Sequence, residues 1–139
     1  MIPLSKLVLM SNQIAIAGAP GTGKTYLAKS LSELLHIPIA HTDDHMQLPW
    51  SEQPEAVLHA LRGQDRFIVE GLQVPRIIRK GLETDLVLWL SEAMEPQTKK
   101  QIQAGNGAYT ILEESGCHFY TASSIDVENL LAEIKEAIV

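Results

Sequence analysis

Three glycines, a lysine and a threonine fall within one run of eight residues, Gly18-Ala19-Pro20-Gly21-Thr22-Gly23-Lys24-Thr25. The spacing is G-x-x-x-x-G-K-[ST]. Glycines at these places let the backbone curl with successive N–H groups turned inward, which makes a nest for an oxyanion. A helix starting at the end of the run adds the positive end of its dipole. An ammonium at Lys24 then reaches the β- and γ-phosphates of a triphosphate, and the Thr25 hydroxyl suits Mg²⁺, a cation that prefers oxygen ligands. The chemistry expected is the binding of ATP, or another nucleoside triphosphate, with Mg²⁺. Gly18 through Thr25 and the following Tyr26 are the candidate nucleotide-binding residues.

Three carboxylates are placed to complete such a site. Ligands of an open parallel sheet bind outside the carboxyl ends of its strands, and Asp43, Asp44 and Glu70 each follow or close an apolar run. Glu70 can hold a metal-bound water or orient a nucleophile; the competing reading is a solvated strand end or a salt bridge to Arg66 or Arg76. Asp43 can accept the proton of a hydroxyl attacking the γ-phosphate, and otherwise serves as a helix cap or turn residue. Asp44 points elsewhere if the segment stays extended. Lys24, Asp43 and Glu70 are thus the catalytic candidates, with Thr25 and Glu70 on the metal. A metal cluster of His41, Asp43 and His45 has no fourth ligand in view. Cys117 next to His118 faces the opposite side of a strand, which favours a buried, inert thiol.

These residues must be carried by elements. Five short apolar runs read as strands: Gln13 to Ala17, Ile37 to Thr42, Arg66 to Glu70, Asp85 to Leu90 and His118 to Ala122. Helix-like stretches alternate with them, a rhythm that signals a mostly parallel sheet covered by helices. Lys24 to Leu35 places Leu27, Leu31, Leu34 and Leu35 on one face, and the last segment does the same with Val127, Leu130, Leu131, Ile134 and Ile138. Pro54 to Leu61 and Pro75 to Lys80 read as short helices stopped by Gly63 and Gly81. Pro96 to Ser115 reads as helical but broken at Gly105-Asn106-Gly107, a hinge or lid.

With 139 residues the expectation is one domain spanning 1–139, and with 45% hydrophobic and 20% charged residues it is globular. A net charge of −6 argues against broad attraction to nucleic acid, so any anion must be bound locally. The single cysteine cannot form an internal disulfide, the opening MIPLSKLVLMSN is too short and interrupted for a signal peptide, and no run approaches a membrane span. A cytoplasmic protein is expected.

The sequence resembles the P-loop kinases of the adenylate-kinase-like group. GAPGTGKT is followed by His41-Thr42-Asp43-Asp44-His45 and Pro49-Trp50, similar to the H-x-D…P-x-W stretch of small kinase-like proteins described as DNA topology modulation proteins. Phe67-Ile68-Val69-Glu70-Gly71 with Pro75-Arg76 beyond looks like the D-G-x-P-R region of adenylate kinases, with Glu for Asp and two residues inserted. The resemblance implies an α/β, three-layer P-loop NTPase fold whose five-stranded parallel sheet runs in the order 2-3-1-4-5, with helices on both faces. It implies that Asp43 faces a small-molecule phosphoryl acceptor and that Arg76 holds it. Thr121, Ala122 and Ser123 lie where such folds hold the base, while Ser123 or Ser124 also suits a helix cap. One departure stands out: kinases of this group carry arginines in their lid, and no arginine follows Arg79 here, only Lys99 and Lys100 in the lid region. A point-charge ammonium cannot replace a two-pronged guanidinium.

The leading expectation is therefore a kinase transferring the γ-phosphoryl group to a nucleoside, nucleotide or similar small molecule. The alternatives are a nucleotide-binding module with little or no turnover, acting as a switch or assembly partner, and a simple NTPase acting on ATP or GTP. Met46, Leu48 and Trp50 either line the acceptor pocket or belong to the core.

Overall fold

A computed structural model describes residues 3–18, 22–45, 47–91, 99, 110 and 118–138. Ala19, Pro20 and Gly21 of the glycine-rich run lie outside these, as do Met46, Lys100, Cys117 and nearly all of 96–115 with its Gly105-Asn106-Gly107 break. The apolar runs form strands β1 (Gln13–Gly18), β2 (Ile39–His41), β3 (Phe67–Glu70), β4 (Leu86–Leu90) and β5 (His118–Ala122). All neighbouring pairs are parallel, in the order β2-β3-β1-β4-β5. The helices are α1 (Leu4–Met10), α2 (Lys24–Leu35), α3 (Gln53–Leu61), α4 (Val74–Arg79) and α5 (Ser124–Ile138).

Alternation along the strands divides the sheet into two apolar faces, because successive side chains point to opposite sides. Ile14, Ile16, Ile68, Leu86, Leu88 and Leu90 pack with Leu27, Ala28 and Leu31 of α2, Leu130, Leu131 and Ile134 of α5, and Val8 of α1. Ala15, Ala17, Phe67, Val69, Val87 and Trp89 pack on the other side with Val57 and Leu61 of α3 and Val74 and Ile77 of α4. Three layers result. Strands β3 and β4 are buried along their whole length and β1 is buried from Ile14 onward, whereas all three residues of the edge strand β2 are partly exposed.

The structure corrects the expected second strand at both ends. Residues 37 and 38 do not join it, because α2 closes with His36 in the left-handed conformation (φ 55°) and the Ile37 N–H bonds back to the Ser32 carbonyl at 3.3 Å. At the far end Thr42 leaves the strand to open a 3₁₀ turn, Thr42–His45, so the segment that carries Asp43 and Asp44 is not extended. The third and fourth strands each begin one residue later than expected, at Phe67 and Leu86. Both short proline-led helices form, each with its proline in the first turn.

Helix α1 was not signalled by the sequence. Its stretch LSKLVLM has seven residues, no side-chain cap at Pro3 and no polar face to set a period. It is held by packing: Val8 is fully buried, and Leu4, Leu7 and Leu9 lie against the same core. No helix of the described residues is long and apolar enough to cross a membrane.

Candidate functional site

The parallel sheet brings the carboxyl ends of β1, β2 and β3 together. β1 ends at Gly18 and leads into the glycine-rich loop, β2 ends at His41 and opens the turn with Asp43, and β3 ends at Glu70. Register aligns them: His41 and Ile16 both pair with Glu70, so these side chains share the face on which α2 packs.

Glu70 is the buried carboxylate of the site, 2% exposed. It is neither a solvated strand end nor bonded to Arg66 or Arg76. Its Oε1 lies 2.6 Å from His41 Nδ1 and accepts the Thr25 hydroxyl at 3.3 Å. A buried carboxylate is tolerated where such partners replace its water. Sequence reasoning did not single out His41 for this role, because a contact across two strands depends on register, which no local pattern in either strand encodes.

Lys24 opens α2 and is itself buried, 8% exposed. Burial lowers its pKa from the ordinary value, and the charges of Glu70 and Asp43 oppose that shift. An ammonium, a hydroxyl and a carboxylate thus lie together at the carboxyl ends of β1 and β3. Backbone geometry at the loop entrance requires glycine: Gly18 has φ 156°, and a Cβ there would come 2.9 Å from the Leu90 carbonyl oxygen and 2.8 Å from Thr22 Oγ1. Tyr26 faces outward, half exposed, with its hydroxyl 3.5 Å from Glu128 Oε1 on α5.

The 3₁₀ turn is locked to the end of β3 by a second contact. Thr42, fully buried, accepts the Gln73 N–H on Oγ1 at 3.4 Å. Gly71 has φ 132°, and any Cβ there would overlap Thr42 Oγ1, so glycine must follow Glu70. Asp43 is exposed at the turn. Asp44, also exposed, lines a cavity of about 190 Å³ between β2 and α3 with Ile39, Ala40, Ala60 and Gln64.

Arg76 is held rather than loose. Its guanidinium stacks 3.7 Å from the centroid of the Trp50 ring and donates to the Trp50 carbonyl at 3.1 Å and to Gln73 Oε1 at 2.9 Å. Gln73 Nε2 in turn donates to Gln53 Oε1 at 2.8 Å, and Gln53 Nε2 to the Leu48 carbonyl at 3.0 Å. This chain fixes residues 48–53 against α4, with Trp50 63% exposed, so the indole is surface and not core. Neither glutamine was marked by the sequence, since each becomes informative only once α3 and α4 are packed together.

At the end of β5, Ser123 caps α5. Its N–H and hydroxyl each lie 2.9 Å from Asp126 Oδ2, and the Asp126 N–H returns to Ser123 Oγ at 3.3 Å. These donors hold the Asp126 carboxyl below its usual pKa. Ala122 is buried, and Thr121 is exposed beside it.

The chain resembles solved kinase structures over most of its length. Shikimate kinase from Acinetobacter baumannii in complex with shikimate matches at 15% identity and a TM-score of 0.58, with 96% of each chain covered. Shikimate kinase from Bacteroides thetaiotaomicron matches at 14% identity and 0.59, covering 91% of this chain and 98% of that one. Deoxyadenosine kinase from M. mycoides with bound dATP matches at 15% and 0.59, covering 89% and 97%. No protein-family model and no curated protein matches the sequence. At such low identities the likeness concerns architecture, and the chain has the five-stranded parallel fold of P-loop kinases.

Proposed function

We propose that this chain is a single-domain, cytoplasmic phosphotransferase. It binds a nucleoside triphosphate, most simply ATP, with Mg²⁺, and transfers the γ-phosphoryl group to a small molecule such as a nucleoside or nucleotide. The observation that carries the reading is the convergence of the Lys24 ammonium, the Thr25 hydroxyl and the Glu70 carboxylate at the carboxyl ends of β1 and β3, next to the glycine-rich loop. The donors suit the metal: a hydroxyl and a carboxylate are hard oxygen ligands of the kind Mg²⁺ takes, directly or through water.

The roles follow from these positions. Residues Gly18 to Tyr26 hold the phosphate tail, with Lys24 on its terminal oxygens. Thr25 and Glu70 hold the metal and its water shell. The bound Mg²⁺ neutralises charge on the phosphate oxygens and supplies the Lewis acid of the reaction. Asp43, exposed at the turn, takes up the proton of the attacking hydroxyl, and Arg76 presents the acceptor. The shikimate and dATP bound in two fold neighbours support an acceptor and a nucleotide of that size.

A nucleotide-binding module with little turnover is the second reading, favoured by the absence of any arginine after Arg79. Loss of an arginine that clamps the transferring group costs about 10³-fold or more in rate. Incubation with Mg·ATP and a panel of nucleosides, nucleotides and small alcohols separates the readings. ADP released only with an acceptor is the expected result. ADP released without one means an NTPase, and binding without ADP means the module.

A further inference from the structure

A single oxygen of Glu70, Oε1, meets both His41 Nδ1 at 2.6 Å and the Thr25 hydroxyl at 3.3 Å. A carboxylate only accepts, so Nδ1 of His41 carries the proton in that short contact. The contact is built into the sheet: His41 and Glu70 are register partners on β2 and β3, and their side chains rise on one face about 5 Å apart. His41 is 21% exposed while Glu70 is 2% exposed, so the imidazole lies between the carboxylate and solvent.

We propose that His41 is a positioning residue for the metal side of the nucleotide site. Its Nδ1–H holds the Glu70 carboxylate in the rotamer that accepts the Thr25 hydroxyl proton, and this turns an oxygen lone pair of Thr25 toward the magnesium of the bound triphosphate. Without the imidazole, Glu70 is free to leave Thr25, whose hydroxyl then loses its orientation. The effect belongs to the metal and not to the phosphate nest, because the nest is made by the backbone of the loop and by Lys24. This inference rests on the Mg²⁺-triphosphate reading above.

Calorimetric titration of wild type, H41F and H41N with ATP, with and without Mg²⁺, tests it. Partners that orient a metal's ligands contribute about 10- to 100-fold in metal affinity. H41F is expected to lose about 10-fold or more of the gain in ATP affinity that Mg²⁺ confers on wild type, with affinity for metal-free ATP kept within about 3-fold. H41N, whose amide nitrogen stands near the Nδ1 position and donates in its place, is expected to restore most of the gain. Thermal melting confirms that each variant is folded, and H41L replaces H41F if the latter is not. An H41F protein with the full wild-type gain overturns the proposal. So does an equal loss with and without Mg²⁺, or an H41N protein as impaired as H41F. No binding of ATP or GTP by wild type overturns the underlying nucleotide reading, and is told apart because it does not involve the variants.

Discussion

Lys24 is a cation buried at some cost to stability. Burial disfavours its ammonium, and Glu70 and Asp43 return only part of what is lost, so its pKa sits below 10.5 in the folded protein. Between that lowered value and 10.5 the unfolded chain binds more protons than the folded one, so stability rises with pH across this window. Below it the cost is carried in full. In the proposed function a triphosphate adds further negative charge beside the ammonium. The nucleotide-free K24M variant is therefore expected to melt higher than wild type near neutral pH. It should also lack the wild-type gain in stability at alkaline pH. A melting temperature below wild type would mean that the partners of Lys24 outweigh its desolvation. At this scale the motif could be read because its residues are consecutive, although Ala19, Pro20 and Gly21 lie outside the described residues. His41, Gln53 and Gln73 could not, since each acts on a residue far along the chain.

The elements reproduce what their end signals announce. Helix α2 has the bounds its leucine spacing gives, and the two short helices follow their prolines. The second strand was misjudged because two local events compete with it: the helix closure at His36 and the 3₁₀ turn at Thr42. The turn lifts Asp43 out of the sheet. Helix α5 depends on the reciprocal Ser123 and Asp126 contacts at its start. S123A is expected to cost about 1 kcal/mol in urea unfolding at neutral pH. The folded pKa of Asp126 is lowered, so its contribution is present above 3.8 and fades as pH falls through the folded value. The difference between S123A and wild type should shrink in acid; a constant difference would mean that only the uncharged Asp126 N–H to Ser123 Oγ contact contributes.

For the molecule as a whole, the alternation of strands and helices gave the fold class, while the sheet order came from resemblance and holds. The exception is α1, which no pattern revealed because an apolar helix packed on a core leaves no period to read. V8A, removing two methyl groups from a fully buried position, is expected to cost about 2–3 kcal/mol. Nucleotide affinity should be unchanged in V8A, because Val8 packs in the core and belongs to no element of the site; a parallel loss of affinity would show that α1 supports the site directly. The net charge of −6 works against capture of an anion at long range, so the proposed function rests on a local array around Lys24. The most direct test is a calorimetric titration of the wild-type chain with ATP, GTP and their diphosphates in the presence of Mg²⁺. The account expects one saturable site for at least one triphosphate, abolished in K24M. Absence of binding across the whole set would contradict it.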